Sequence, residues 1–389
     1  MPLKALKQFI AKLFADITTI PKSLQQSHFP ELDGLRGLAI LLLLMVHFGF
    51  NYYLRHYGVS ISSTTSAHIF FVLSGFLITT LLLKEKLRNG RISLKYFYIR
   101  RALRILPVAW LFLIVLIGLN RFLYLHIPVA DFIASLLFFK NFPMRNEPYT
   151  AHFWSLAVEE QFYFSFPILL AINTRWYTIL SLSIVILVPL ACIIGGLQLD
   201  WLSNNPVLHF IIRCCRYAFW KGPIIILIGS LFSILIFKGI IKPEKIKAHY
   251  LLSTILVIVA IVIHRQTSLF YTKYVSEYLS ALLVGIAMVI SISHKDFLSK
   301  LLSTAFLTTM GVLSYSIYIW QELFIGVKAF QPWMQYFTLL PMWGVILVKL
   351  AFLAIIVSFS FIFEVEFLKL KDKFHYAREG ASKKAAPKS

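Results

Sequence analysis

The chain has 389 residues, of which 59% are hydrophobic and only 14% charged, and its mean hydropathy is +0.76. About a quarter of the residues of a soluble domain are charged, so this composition excludes an ordinary soluble globular class. The net charge of +21 does not point to nucleic acid, because the basic residues stand at the ends of apolar segments. That is the pattern of the positive-inside rule and of contact with anionic lipid or an anionic ligand on one face.

The first stretch, MPLKALKQFIAKLFADITTI, predicts a short helix lying on the membrane. Leu3, Leu6, Ile10 and Leu13 recur at helical spacing opposite Lys4, Lys7 and Lys12. The same lysines interrupt any apolar core, and no small-residue cleavage site follows, so it does not read as a signal peptide. Residues 1–30 are expected to form a cytoplasmic arm. ELDGLRGLAILLLLMVHFGF then opens the first span. Its Arg36 and His47 are eleven residues apart, which sets them about 20° apart around a helix and about 16 Å apart along it. Ionisable groups within a bilayer are costly and usually face the bundle interior or a water-filled cavity. A snorkelling arginine and a histidine bonded to a neighbouring helix would account for the pair equally well. Asp33, one turn before Arg36, is a candidate ion-pair or cavity residue.

Apolar blocks that could span, at about 20 residues each, fall near 36–53, 67–83, 103–120, 153–173, 176–197, 219–237, 249–264, 277–293, 303–327 and 341–363. An eleventh, VADFIASLLFFKNF, is shorter, with Asp131 at one end and Lys140 at the other. It reads as a re-entrant or interfacial piece. Ten spans with both termini in the cytoplasm put 26 of the 38 lysines and arginines inside. Letting the eleventh block span would send the lysine-rich 238–247 and the tail outside, so ten spans fit better. The expected fold is an all-α, polytopic transmembrane helical bundle over residues 31–365, followed by a basic cytoplasmic tail at 366–389. Its last residues, from about Ala377, have a disordered composition.

Several polar positions stand out in these spans. In FFVLSGFLITT, Ser74 and Gly75 read as small residues for close helix packing; no Gly-x-Ser-x-Gly surrounds the serine. Arg101 and Arg104 lie one turn apart at the start of the third span, beside Arg100. They are stop-transfer charges or a phosphate-binding cluster. HFWSLAVEEQFYFSFP places Ser155, Glu159 and Tyr163 on one helical face. Glu159 is expected to point inward, with Glu160 the more solvated neighbour. Glu322 and Lys349 are expected at similar depth in two late spans, as an ion pair or as lining of a shared cavity. Tyr52, Tyr53, Trp154 and Trp333 read as interfacial belt aromatics. Cys192, Cys214 and Cys215 have neither metal-ligand nor disulfide spacing.

LDGLRGLAILLLLMVHF, FFVLSGFLIT, RRALRILP, FWSLAVEEQFYFSFP and LSYSIYIWQ occur in that order. Together they resemble the characteristic segments of the integral-membrane acyltransferase family of type three, over roughly residues 30–365. The resemblance implies a ten-helix bacterial inner-membrane enzyme moving an acyl group, usually acetyl, from cytoplasmic acyl-CoA to a hydroxyl. The acceptor it implies is a cell-envelope or exported glycan or glycolipid, such as a polysaccharide or lipopolysaccharide. The family's arginine–histidine motif falls on Arg36 and His47, and its third-span basic motif on Arg101 and Arg104. Its tryptophan–serine–leucine–glutamate–tyrosine motif falls on Trp154, Ser155, Leu156, Glu159 and Tyr163. The implied catalytic set is His47 with Glu159, Ser155 and Tyr163, and the implied donor-binding set is Arg36, Arg101 and Arg104. Many members have histidine where this chain has Gln321. Some carry an additional C-terminal domain, whereas here the chemistry is expected within the membrane part. Acyl-CoA is the donor substrate; no resident cofactor or metal is implied, and anionic lipids are expected at the cytoplasmic face. The alternative class is a proton-coupled glycan or lipid transporter, with His47 and the glutamates moving protons; a scaffold would leave the buried charges without purpose.

Overall fold

A computed structural model of the chain describes residues 3–50, 54, 56, 61–142, 147–196, 205–220, 222–246, 249–264, 273–325 and 340–372. Among these residues the secondary structure is helical throughout. In chain order the helices are α1 (Leu3–Phe14), α2 (Pro30–His47), α3 (Ser63–Asn89), α4 (Leu94–Phe122) and α5 (Val129–Leu136). They continue as α6 (Phe153–Ile172), α7 (Thr174–Gly196), α8 (Pro206–Cys214), α9 (Pro223–Phe237) and α10 (Leu252–Ile263). The last are α11 (Lys273–Ser291), α12 (Phe297–Leu302), α13 (Ala305–Trp320), α14 (Glu322–Ile325) and α15 (Met342–Asp372).

Among the described residues, six helical segments are long and apolar enough to cross a membrane: Ser63–Asn89, Leu94–Phe122, Pro148–Ile172, Thr174–Gly195, Tyr274–Ser291 and Trp343–Leu370. Pro223–Phe237, Leu252–Ile263 and Ala305–Trp320 are apolar but shorter. The 18-residue α2 carries Glu31, Asp33 and Arg36 in its first two turns. It begins ahead of the predicted apolar block because Pro30 presets the first helical φ and the two acids favour the positive helix end. The predicted block 303–327 divides at Gln321, between α13 and the single turn α14. The eleventh block forms α5, whose eight residues reach only about 12 Å. It is too short to span, as its charges lead one to expect.

The chain divides into two compact units. The first comprises residues 1–92, 138–145 and 151–315. At its centre α9 is buried nearly all round, with Ile224 to Ile228 at most 1% exposed. Such a helix needs no polar face. It crosses α3 so closely that a Cβ on Gly75 would strike the Ile226 carbonyl oxygen, and one on Gly229 the Val72 carbonyl oxygen. The approach lets hydroxyls meet across the crossing: Thr79 and Ser230 at 2.7 Å, Thr80 and Ser233 at 2.8 Å, Tyr177 and Ser230 at 2.7 Å. The small-residue reading of Ser74-Gly75 therefore holds. Caps set the ends: Ser62 accepts the Thr64 amide ahead of α3, and Gly90, at φ +72°, closes it. Asn173 ends α6 and caps α7 through the Arg175 and Trp176 amides at 2.9 and 3.1 Å. The helix predicted at the N-terminus is α1, with Phe9, Ile10 and Phe14 exposed.

The second unit comprises residues 93–137, 146–150 and 316–389. Here α4 packs against α15, and Phe112 meets the Trp320 ring edge-on at 5.5 Å between centroids. Both helices leave large apolar side chains exposed, Trp110, Ile114 and Ile117 on α4 and Leu347, Ile355 and Phe359 on α15. Such rows suit a hydrocarbon solvent rather than water.

Candidate active site

The site begins with α2. Its continuous helical run keeps Arg36 and His47 on one face, as the spacing predicts. Where α2 starts, glycines remove every intervening side chain. A Cβ on Gly34 would meet the Leu302 carbonyl, one on Gly37 the Leu307 carbonyl, and one on Gly311 the Asp33 carbonyl. Backbone contact of this kind fixes the helix mouth without help from rotamers. Arg36 donates from Nη1 to Asp33 Oδ1 at 3.0 Å, and Asp33 Oδ2 lies 2.6 Å from His28 Nε2. Asp33 is thus an ion-pair residue. The guanidinium has five donors, and among the described residues Asp33 is its one side-chain partner.

At the other end of α2, His47 shares its electrostatic surroundings with two groups from elsewhere in the chain. The His152 imidazole lies within Coulombic reach of both His47 and Lys140. His152 immediately precedes α6, is 5% exposed, and packs on Phe153 at 4.8 Å between ring centroids. Residues on both sides of Lys140 are tied to Gln161 on α6. The Gln161 and Asn141 amides exchange two hydrogen bonds of 2.9 Å, and Gln161 Nε2 also donates to the Phe138 carbonyl at 3.0 Å. Sequence reasoning missed His152. Its one signal was an imidazole directly before an apolar span, at the same expected depth as His47.

The predicted stripe on α6 is present, with different neighbours for each member. Glu159 accepts a 2.9 Å hydrogen bond from Ser74 Oγ on α3, so the serine read only as a packing residue also positions a carboxylate. Ser155, buried, donates to the His152 carbonyl at 3.2 Å. Tyr163 is 3% exposed. Glu159 and Glu160 are both half-buried, so exposure does not separate them as expected. Trp154 packs edge-on against the buried Phe71 at 6.0 Å rather than standing only at an interface. Tyr52, Tyr53 and Trp333 lie outside the described residues, as does the tail from 373.

In the second unit, Arg101 and Arg104 stand on the second and third turns of α4, and the Arg101 guanidinium lies 5.9 Å from the Phe97 ring centre. Gln321 is fully buried and donates from Nε2 to Glu322 Oε2 at 3.0 Å. The expected Glu322–Lys349 pair does not form among the described residues. Glu322 sits on the single turn α14, past the break at Gln321, and its carboxylate is taken up by the amide before it. A second buried carboxylate went unpredicted: Glu364, which accepts from Ser316 Oγ at 2.6 Å.

Comparison with known proteins bears on what this arrangement does. A family model described as an acyltransferase domain matches residues 29–365. The chain belongs to the type-three acyltransferase family. It is 29% identical to the peptidoglycan O-acetyltransferase OatA of Listeria monocytogenes over 322 residues, covering 76% of this chain and 49% of the relative. A putative O-acetyltransferase of Staphylococcus aureus strain COL is 28% identical over 327 residues, 75% of this chain and 50% of the relative. The putative peptidoglycan O-acetyltransferase YrhL of Bacillus subtilis is 33% identical over 166 residues, 39% of this chain and 25% of the relative. The chain spans about half the length of the first two of these proteins. No solved structure matches it.

Proposed function

We propose that the protein is a membrane O-acetyltransferase that moves an acetyl group from acyl-CoA to a hydroxyl of a cell-envelope glycan. The observation that carries this reading is the single helix α2, which holds Arg36 at one end and His47 at the other on one face. Coenzyme A is a polyanion with its thioester at the end of a long arm. Four guanidinium donors of Arg36 remain beside the Asp33 pair for phosphate oxygens, and the family motif assigns Arg101 and Arg104 to donor binding as well. The arm then delivers the acyl carbon towards His47.

In the reaction, His47 takes the proton of the acceptor hydroxyl as general base. The freed oxygen attacks the thioester carbonyl, the C–S bond breaks, and the thiolate leaves as thiol with the proton from His47. Glu159, set by Ser74, orients the acceptor; Ser155 fixes the turn bearing His152; Tyr163 hydrogen-bonds the reacting carbonyl. In this reading α2, α3, α4, α6, α7, α9, α10, α11, α13 and α15 each cross the bacterial cytoplasmic membrane, with both termini inside. The names of the relatives favour peptidoglycan as the acceptor class.

The test is mass spectrometry of wall glycan from a strain lacking the gene, restored with the wild type or with His47→Ala. The wild type should return the acetyl increment and His47→Ala should not, at equal protein level in the membrane. Full O-acetylation by the variant refutes the assignment.

A further inference from the structure

At the Asn173 end of α6 the first unit holds a cleft of about 400 Å³, within the size range of small-molecule sites. With 20 residues, α6 separates it by about 30 Å from His152 at the other end. Three cations line it, Lys86, Arg175 and Lys238, against one acid, Asp16. Among the described residues, two of these positive charges have no carboxylate partner. Lys86 donates to the Thr174 hydroxyl, at 2.8 Å, and Lys238 to the Ala15 carbonyl, at 2.7 Å, among the described residues. Lys238 is 9% exposed overall, and its ammonium is bonded to a neutral carbonyl. Burial lowers its pKa below the lysine range, Asp16 pulls it back up, and Arg175 lowers it again.

Asp16 shows what the cleft takes. Its two oxygens engage Arg175 in a fork, Oδ2 to Nη2 at 2.8 Å and Oδ1 to Nε at 3.1 Å, the geometry a phosphate adopts on arginine. The pair is exposed, so it contributes little to stability and is easily displaced. Asp16 is the single acid in the first 30 residues, an arm that also has four lysines. Two further ties hold that arm down, the Ala15 carbonyl on Lys238 and the Gln26 carbonyl on Lys84. We propose that this cleft is a phosphate-ester binding site, filled by Lys86, Arg175 and Lys238 acting together, with the Asp16 carboxylate as a built-in competitor for the same fork. The ligand is the phosphate of an anionic lipid headgroup or of a soluble phosphorylated compound. The site does not depend on the acyl-transfer reading.

The full chain in neutral detergent micelles is titrated separately with inorganic phosphate and with short-chain phosphatidylglycerol, with phosphatidylcholine as control, following the thermal unfolding midpoint. One anionic probe should raise the midpoint of the wild type. Asp16→Asn should reach half-effect at a several-fold lower concentration. The double variant Arg175→Gln, Lys238→Gln should need about ten-fold more, as the loss of a charge-assisted contact predicts. A response to phosphate assigns a soluble compound; a response to phosphatidylglycerol alone assigns the lipid. If the double variant does not fold, Lys86→Gln, which leaves the arm's ties intact, should weaken the response in the same direction. No response to either anion, equal response in wild type and cation variants, or weaker binding by Asp16→Asn overturns the proposal.

Discussion

Gly75→Ala puts a methyl group where α3 touches the backbone of α9. The added Cβ would overlap the Ile226 carbonyl oxygen and press on the Ser230 amide, whereas ordinary carbon–oxygen contacts lie at about 3.3–3.6 Å. Backbone cannot rotate aside as a side chain can, so the helices must part by more than an ångström. Overpacking of this kind costs about 1–3 kcal/mol. Parting also stretches the hydroxyl pairs Thr79–Ser230, Thr80–Ser233 and Tyr177–Ser230. At about 0.6 kcal/mol each within membranes they add about 2 kcal/mol. The expected loss is thus about 3–5 kcal/mol, against a gain of up to about 1 kcal/mol from replacing a helical glycine. Gly118 on α4 is the matched control, since a Cβ there meets nothing within 4 Å. Gly118→Ala should therefore raise stability slightly, by the propensity gain alone. Both variants are compared with wild type by reversible unfolding in mixed micelles, as free energy against denaturing detergent fraction. Equal stability of Gly75→Ala and wild type would refute the backbone contact on which the α3–α9 crossing depends.

The Ser74–Glu159 hydrogen bond should appear as coupling in a double-mutant cycle of Ser74→Ala and Glu159→Gln. About 0.6–2 kcal/mol is expected in micelle unfolding, and additive losses would show that the two do not meet. Gln161→Leu removes three amide hydrogen bonds that hold residues 138–141 to α6. It should destabilise by about 1–3 kcal/mol and make the peptide after Leu137 open to protease; unchanged cleavage would count against the clamp.

The helices themselves were largely legible. Lysines at helical spacing marked α1, and the charges flanking 129–140 marked a piece that does not cross. What periodicity gives is the face of one helix, and this sufficed for Arg36 with His47 and for Ser155, Glu159 and Tyr163. It cannot give the neighbour across a crossing. Ser74 and Glu159 are 85 positions apart, and nothing in either segment names the other. His152 escaped for a related reason: it stands one residue outside the apolar block, and the loop bearing Lys140 is tied to Gln161 by hydrogen bonds between residues distant in sequence. Matching depth in two spans gives no contact between Glu322 and Lys349, and the Glu322 carboxylate accepts instead from the neighbouring Gln321 amide. A break at Gln321 and a competing amide were invisible in hydropathy.

Between Arg36 and His47 the first helix has no proline and one glycine, Gly37, which lies against the Leu307 carbonyl within the continuous helical run. The interval from Arg36 to His47 is therefore maintained by intrahelical hydrogen bonds, which stretch very little. It behaves as a gauge built into the protein. On the acyl-transfer reading proposed above, a donor anchored by its phosphates at Arg36 would present its thioester at His47 only if its arm had the matching reach. Compounds with a truncated arm would be held yet never brought to the imidazole. On that reading, selection among donors would follow from the stiffness of a stretch of leucines, before any pocket had tested the acyl group.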